Sequence, residues 1–511
     1  MTDDVGAAGV LTVQGTRERP QTPRPGAREL IDALLDPGSH VSWDVTPRGV
    51  DDAAYAATLE RARERSGSDE AVLTGEGAIG GHPVAVVVSE FAFLGGSIGE
   101  RTADRIVAAI DSAGRRGLPL IAAPASGGTR MQEGTPAFLQ MARITRALSR
   151  YKKRRLPYLV YLRNPTTGGV FASWGSLGHV TAAEPAALVG FLGPKVYEGL
   201  RGEAMPPGIQ TAEHLLHHGT VDAVLDLPGF RRLAGDVLTV LAGQGVRRGS
   251  DVAKSVASPG RERAGESAPW DSVLRSRDPE RPGLDELLAA GFGRTVRLHG
   301  TGRGRRSAST VTLLAELYGR PVVVVAQDRA AQRDGAVLDV AGLAQVRRGI
   351  ALAEALGLPL VTVVDTPGAE LSVRAEEDAI AGAIADCIAE LTMLTVPSVA
   401  ILLGEGTGGG ALALAATHRI VAAADAWLAP LPPEGASLIV QGDLEGASRL
   451  AASQGITAAA LAEAGLVDAV VPEGPGLLRG LAQAVAALLE ADVSESGASA
   501  SGEADSDRRA Q

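Results

Sequence analysis

Apolar positions along this chain alternate between two patterns. In RTADRIVAAIDSAGRRG, residues 101–117, they recur at three and four residues, the spacing of one face of an amphipathic helix. A short apolar run, LPLIAAP, follows and is bounded by Gly and Pro, which predicts a buried strand. A glycine turn, a second amphipathic stretch (AFLQMARITRALSRY) and a second buried run (LPYLVYLRN) come next, and the last ends in another glycine loop that opens a helix. Strands alternating with crossover helices predict parallel sheet with helices outside it, and sites in such folds form where strand turns into helix. The predicted class is α/β.

The same order occurs twice. GLPLIAAPASGG at Gly117–Gly128 is matched by GLPLVTVVDTPG at Gly357–Gly368, an offset of 240 (357 − 117). Pro157 in RLPYLVYLRNPTTGGV matches Pro397 in TVPSVAILLGEGTGGGA at the same offset. Farther on, AAEPA from Ala182 matches AAADA from Ala422, read here with a compensated one-residue insertion in the second glycine loop. A constant offset over about 70 residues marks a duplicated domain. Segments 1–26, 243–282 and 492–511 are rich in small, charged and turn-forming residues and predict a disordered tail, a linker and a second disordered tail. The two domains then span 27–242 and 283–491, and 511 residues leave room for a core in each.

Composition narrows the functional classes. A net charge of −11 repels phosphate backbones and anionic lipid alike, so neither nucleic acid nor membrane is an expected partner. The basic run Arg150–Arg155 (RYKKRR) reads as a solvated helix end, or alternatively as a patch for a polyanion such as the phosphates of CoA. The single cysteine, Cys387, excludes an intrachain disulfide and a Cys-based zinc finger. With no signal-like N-terminus and no apolar stretch of spanning length, the expected location is the cytoplasm.

Four glycine loops carry the candidate chemistry: ASGGTR (Ala125–Arg130), NPTTGGVFAS (Asn164–Ser173), DTPGAE (Asp365–Glu370) and GEGTGGGALAL (Gly404–Leu414). The second and fourth open helices, so their glycines place unspent backbone N–H groups where a developing oxyanion can be held. The alternative is that these glycines only permit tight turns; matching loops in both copies favour oxyanion sites. GEGTGG also fits G-x-G-x-x-G through Gly404, Gly406 and Gly409, with Asp425 placed for a ribose contact, but the first copy lacks that fingerprint, so no nucleotide is expected. The cluster His214, His217 and His218 reads as an exposed helix face, and no metal site is expected.

At these loops the sequence resembles a known family. Residues from about Val72 to Val224 resemble the β subunit of bacterial acetyl-CoA carboxylase carboxyltransferase, through VLTGEGAIGGHPVAVVVSEFAFLGGSIG, SGGTRMQEG, NPTTGGVFASWGSLGHVTAAEPAALVGFLGPKV and LLHHGTVDAVL. Residues from about Trp270 to Val471 resemble the α subunit, through SRDPERPGLDELL, LPLVTVVDTPGAE, GEGTGGGALAL and PPEGASLIV. The resemblance implies two tandem crotonase-like domains of ββα superhelix. It implies that Gly168 and Gly169 stabilise the enolate of an acyl-CoA thioester, with Gly127, Gly128 and Arg130 binding the acyl-CoA. It further implies that Gly410 and Ala411 stabilise the ureido oxyanion of biotin, with Gly368, Ala369 and Gly409 binding it. The expected reaction moves a carboxyl group from carboxybiotin to acetyl-CoA or another short acyl-CoA, giving malonyl-CoA from acetyl-CoA.

None of the four lysines, Lys152, Lys153, Lys195 and Lys254, sits in an A-M-K-M context, so biotin is expected on a separate biotin carboxyl carrier protein charged by a biotin carboxylase. A homo-oligomer is expected, with the first half of one chain facing the second half of another. The rival readings are a non-catalytic scaffold and a decarboxylase or hydratase of the same fold. Three features depart from the family pattern: no four-cysteine zinc ribbon, a short DRAAQRDGAV segment after Gln327, and a PPEGASLIV that lacks the family's cysteine and tryptophan.

Overall fold

The computed structural model describes residues 24–243 and 268–491. The expected tails lie almost wholly outside the described residues, as does the middle of the expected linker. In the first half, β1 (Val41–Ser42), β2 (Val72–Ile79), β3 (His82–Ser89), β4 (Leu120–Ala123) and β5 (Tyr158–Leu162) lie side by side in a sheet. The two-residue β6 (Thr166–Thr167) and β8 (Val189–Gly190) pair separately, while β7 (Val180–Ala183) and β9 (Ala223–Val224) complete the seven-stranded sheet. β1 to β3 run antiparallel, and every pairing beyond β3 is parallel.

The second half repeats the plan. β10 (Phe292–Leu298), β11 (Thr310–Leu317) and β12 (Arg320–Gln327) are antiparallel, and the parallel strands β13 (Leu360–Thr366), β14 (Ser398–Thr407) and β15 (Arg419–Ala423) follow. β16 (Trp427–Ala429) pairs beside β14, and β17 (Ala469–Val471) closes the far edge. Equivalent helices, Glu100–Arg116 and Val340–Leu356, end in Gly117 and Gly357, both left-handed, so the chain stops each helix at the same place before the next strand.

The halves share one core, and the first half has a second core of its own. Along β3, Ala85 and Val87 face a cluster with Ile106, Ile110, Ile144 and Leu148 from helices Glu100–Arg116 and Gly134–Lys152. The alternate residues Val84, Val86 and Val88 face the other way, into a cluster continuous with the strands of the second half. Helix Leu227–Ala242 lies between, touching β2 and β3 on one side and β10, β11 and β12 on the other, with Phe230, Ala234, Val237 and Leu238 buried.

The linker expectation is also corrected. Residues 269–276 form helix Pro269–Ser276, whose Val273 packs with Trp427, whose Ser276 Oγ accepts from Trp427 Nε1 at 2.8 Å, and whose Arg275 pairs with Asp425 at 2.7 Å. These residues belong to the second half. Among the described residues no helix is long and apolar enough to cross a membrane.

Candidate active site

Each half brings two glycine loops together at the ends of adjacent parallel strands. In the first half Ser126 N donates to Pro165 O at 2.6 Å, and Thr167 N donates back to Ser126 O at 2.9 Å. This closes Gly128 onto Gly168, so that a Cβ on Gly128 would lie 3.6 Å from Gly168 Cα. Gly168 takes φ +63° and starts helix Gly168–Phe171; Gly408 takes φ +62° and starts helix Gly408–Ala415. Both positions favour glycine, because an L side chain is strained at that φ. The two helices start 240 positions apart, so the register runs through without the expected insertion.

The same offset holds for the supporting bonds. Ile98 O accepts from Arg130 N at 2.9 Å, and Leu338 O accepts from Glu370 N at 3.0 Å. Gly128 N donates to Ser126 Oγ at 3.0 Å, and Gly368 N donates to Thr366 Oγ1 at 3.2 Å. Gly127 N is spent on Gly95 O at 2.9 Å.

The structure sorts the candidate amides. Gly168 donates its N–H to Phe191 O at 3.0 Å, so the first half does not offer the pair expected from the sequence. Gly169, the next residue in the first turn, meets no acceptor among the described residues. In the second half the half-exposed glycines are Gly408 and Gly409, while Gly410 and Ala411 are buried. Gly410 presses on the other loop: a Cβ there would lie 2.8 Å from Ala369 N.

Different side chains hold the two halves. Arg130 is fully buried and donates to Glu70 Oε1 at 2.6 Å, Ser97 O at 2.8 Å and Thr102 Oγ1 at 2.9 Å. It therefore braces its loop from beneath. Burial alone would push the Glu70 carboxyl up, but the Arg130 charge and hydrogen bond outweigh it and hold Glu70 below the usual range.

Beneath the second-half loops, Arg329 bridges Asp365 at 3.1 Å and Glu405 at 2.8 Å, and Arg277 bridges Glu405 at 3.0 Å and Glu434 at 2.6 Å. Burial raises the Asp365 carboxyl, with Arg329 opposing it. Gln327 ties the loops to each other, accepting from Asp365 N at 3.0 Å and donating to Gly410 O at 2.8 Å. The partners in these networks lie dozens of residues or more apart, so no local motif announces them.

His217 and His218 are exposed, and His214 is partly exposed. Asp425 is engaged by Arg275. The basic run is not uniformly solvated, since Lys152 is half-buried with its Nζ donating to Leu177 O at 3.0 Å.

A duplicated ββα unit whose paired glycine turns keep backbone donors in reserve defines a crotonase-like carboxyltransferase architecture. The model of the carboxyl transferase domain matches residues 21–228, and that of acetyl co-enzyme A carboxylase carboxyltransferase-like proteins matches residues 250–509. A probable biotin-dependent acyl-coenzyme A carboxylase beta3 subunit of Mycobacterium tuberculosis is 52% identical over 449 residues, covering 88% of this chain and 89% of that protein. The acetyl-coenzyme A carboxylase carboxyl transferase subunits beta/alpha of Saccharopolyspora erythraea are 37% identical, covering 92% of this chain and 85% of that protein. The chain belongs to the carboxyltransferase family. Among solved structures, transcarboxylase 12S with hydrolysed methylmalonyl-coenzyme A bound shares the fold, with a TM-score of 0.72 and 21% identity over 91% of this chain and 88% of that chain.

Proposed function

We propose that this chain is the carboxyltransferase component of a biotin-dependent acyl-CoA carboxylase. It moves a carboxyl group from carboxybiotin, presented by a separate carrier protein that a biotin carboxylase charges, to the α-carbon of acetyl-CoA or another short acyl-CoA. The observation that carries this reading is the duplicated pair of glycine turns, each with backbone donors unspent beside half-exposed backbone.

In the first half the Gly169 amide, walled by Gly127 and Gly128, faces the thioester oxygen on which charge develops as the α-proton leaves. Arg130 keeps that wall in place from below. In the second half the first turn Gly408–Ala411, beside Gly368 and Ala369, faces the ureido oxygen. The carboxylates beneath this turn fit that role, because Asp365 and Glu405 are bonded to Arg329 instead of being left to repel a developing anion. Carboxybiotin supplies the carboxyl group.

Exposed apolar side chains support the oligomer. Met131 and Leu371, Phe191 and Leu431, and Leu200 and Val440 are each 240 positions apart, and all six are exposed. Both halves thus expose apolar side chains at equivalent positions, suited to seating the first half of one chain on the second half of another.

The test is a carboxylation assay with the carboxylated carrier and acyl-CoAs of increasing acyl length. The expected result is transfer to short acyl groups, and a carrier that keeps its carboxyl group with every acyl-CoA overturns the reading.

A further inference from the structure

A cavity of about 1260 Å³ opens between the halves and reaches Phe171, the last residue of the helix that Gly168 begins. Its charge is unbalanced in a chain whose net charge is −11. The lining carboxylates are all engaged: Asp222 by Arg348 at 2.9 Å, Glu390 by Arg347, and Glu354 by the hydroxyl and amide of Thr395. Three further cations on the wall, Lys152, Arg303 and Arg305, have no carboxylate within ion-pair distance among the described residues.

The backbone that carries two of these cations is held in place. Arg303 and Arg305 sit on the loop GTGRGRR, residues 300–306, which is pinned to the first half by Gly302 N donating to Gly219 O and is closed on itself by Thr301 N donating to Arg305 O, both at 2.8 Å. A Cβ on Gly219 would lie 2.3 Å from Arg305 O, so the loop and the first half are in close backbone contact. Lys152 reaches the cavity from helix Gly134–Lys152. Burial, and then the facing Arg303, push its ammonium down to about 8, the signature of a cation without a counter-ion.

His179 adds a donor. It is only 7% exposed and lines the same cavity. Its Nδ1 accepts from Tyr158 N at 3.0 Å, which leaves the proton on Nε2, and Nε2 is buried with no partner. A buried N–H without an acceptor is costly, and so is the half-buried Lys152 ammonium facing a guanidinium with no anion between them. One ligand relieves both.

We propose that this inter-half cavity is a binding site for a phosphate-type anion, held by Lys152, Arg303 and Arg305 with His179 as a neutral donor. Such a group can come from the nucleotide end of the CoA substrate, which rests on the function proposed above, or from a free phosphate-bearing metabolite.

The test is calorimetric titration of the full chain with inorganic pyrophosphate. Saturable binding is expected, weakened about tenfold or more in Arg303→Gln and in Lys152→Gln and largely kept in Arg303→Lys, as for the loss of one charge-assisted contact. Arg303 is exposed, so its variants fold even if Lys152→Gln does not. Wild type that binds no pyrophosphate at millimolar concentration, or Arg303→Gln that binds as well as wild type, overturns the proposal. Competition separates the sources. CoA that displaces pyrophosphate where dephospho-CoA does not assigns the site to the substrate's 3′-phosphate, and failure of both assigns it to a free anion. Binding needs no turnover, so a carboxylation assay on the same preparation reports separately on the catalytic reading.

Discussion

The two glycine-turn regions share a backbone and differ in what lies beneath it. Arg130 and Glu370 occupy equivalent positions, yet the first is a fully buried cation locked on Glu70 and the second is a partly exposed acid accepting from Ser372 Oγ at 2.7 Å. In the first half the Gly169 amide, which meets no acceptor among the described residues, lies over a compact buried pair. The second has a longer helix, Gly408–Ala415, over a chain of alternating charges running from Asp365 through Arg329 and Glu405 to Arg277. Duplication kept the donor geometry while each half acquired its own electrostatic support.

The sharpest way to break the symmetry is to cover one donor at a time. Gly169→Val brings a Cβ to 3.1 Å from the flexible Met141 Cγ, and Gly409→Val brings one to 2.9 Å from Ile384 Cδ1, so in both a side chain rather than backbone has to give way. Each is expected to lower carboxyl transfer by about 10²–10³. Coexpressed as mixed oligomers, the two variants should regain activity, because one composite site then joins two intact halves. Confirmed mixed oligomers that stay inactive would place both donors of a site in the same chain.

Next in size is the buried pair. Glu70→Gln removes the fully buried counter-charge of Arg130, leaving only Glu133 at 3.5 Å, and is expected to cost about 3 kcal/mol, read as a lower midpoint in urea. Arg329→Met should produce a deficit of different character. With its cation gone, Asp365 faces Glu405 and its carboxyl rises further above the unfolded value. A raised carboxyl binds more protons folded than unfolded, so the deficit should shrink as pH falls toward 5 and deepen toward 8. Thermal midpoints of variant and wild type across that range check the sign; a gap independent of pH would mean that Asp365 protonation does not set the deficit.

The smallest effect separates neighbouring glycines. Gly410→Ala puts a methyl 2.8 Å from Ala369 N, a backbone atom that cannot move aside alone, and should cost about 1–3 kcal/mol of stability. Gly409→Ala meets a side chain that can rotate and should cost less.

The repeat, the alternation of strand and helix and the glycine loops were legible because each is written in consecutive residues, whereas the antiparallel pairing that opens each sheet was not. The supports were not. Glu70 and Arg130 lie 60 positions apart, and Arg277 and Glu405 lie 128 apart, so nothing local pairs them. The helix at Pro269–Ser276 hid among prolines and charges that resemble a linker until Asp425 and Glu405 are seen to bind Arg275 and Arg277. The shared core was hidden for another reason. β3 is apolar on both faces, and alternation shows that both are covered without showing that the second half covers one of them. The amide of Gly168 was misjudged because its acceptor, Phe191 O, lies in a later loop.

Helix Leu227–Ala242, wedged between the two sheets, sets the order of events during synthesis. When the ribosome has delivered the first 243 residues, Val84, Val86, Val88 and the apolar stripe of that helix have one wall of their enclosure and lack the other, which is encoded downstream. The nascent first half must wait, with oily surface in need of shelter, until β10 to β12 emerge and close over it.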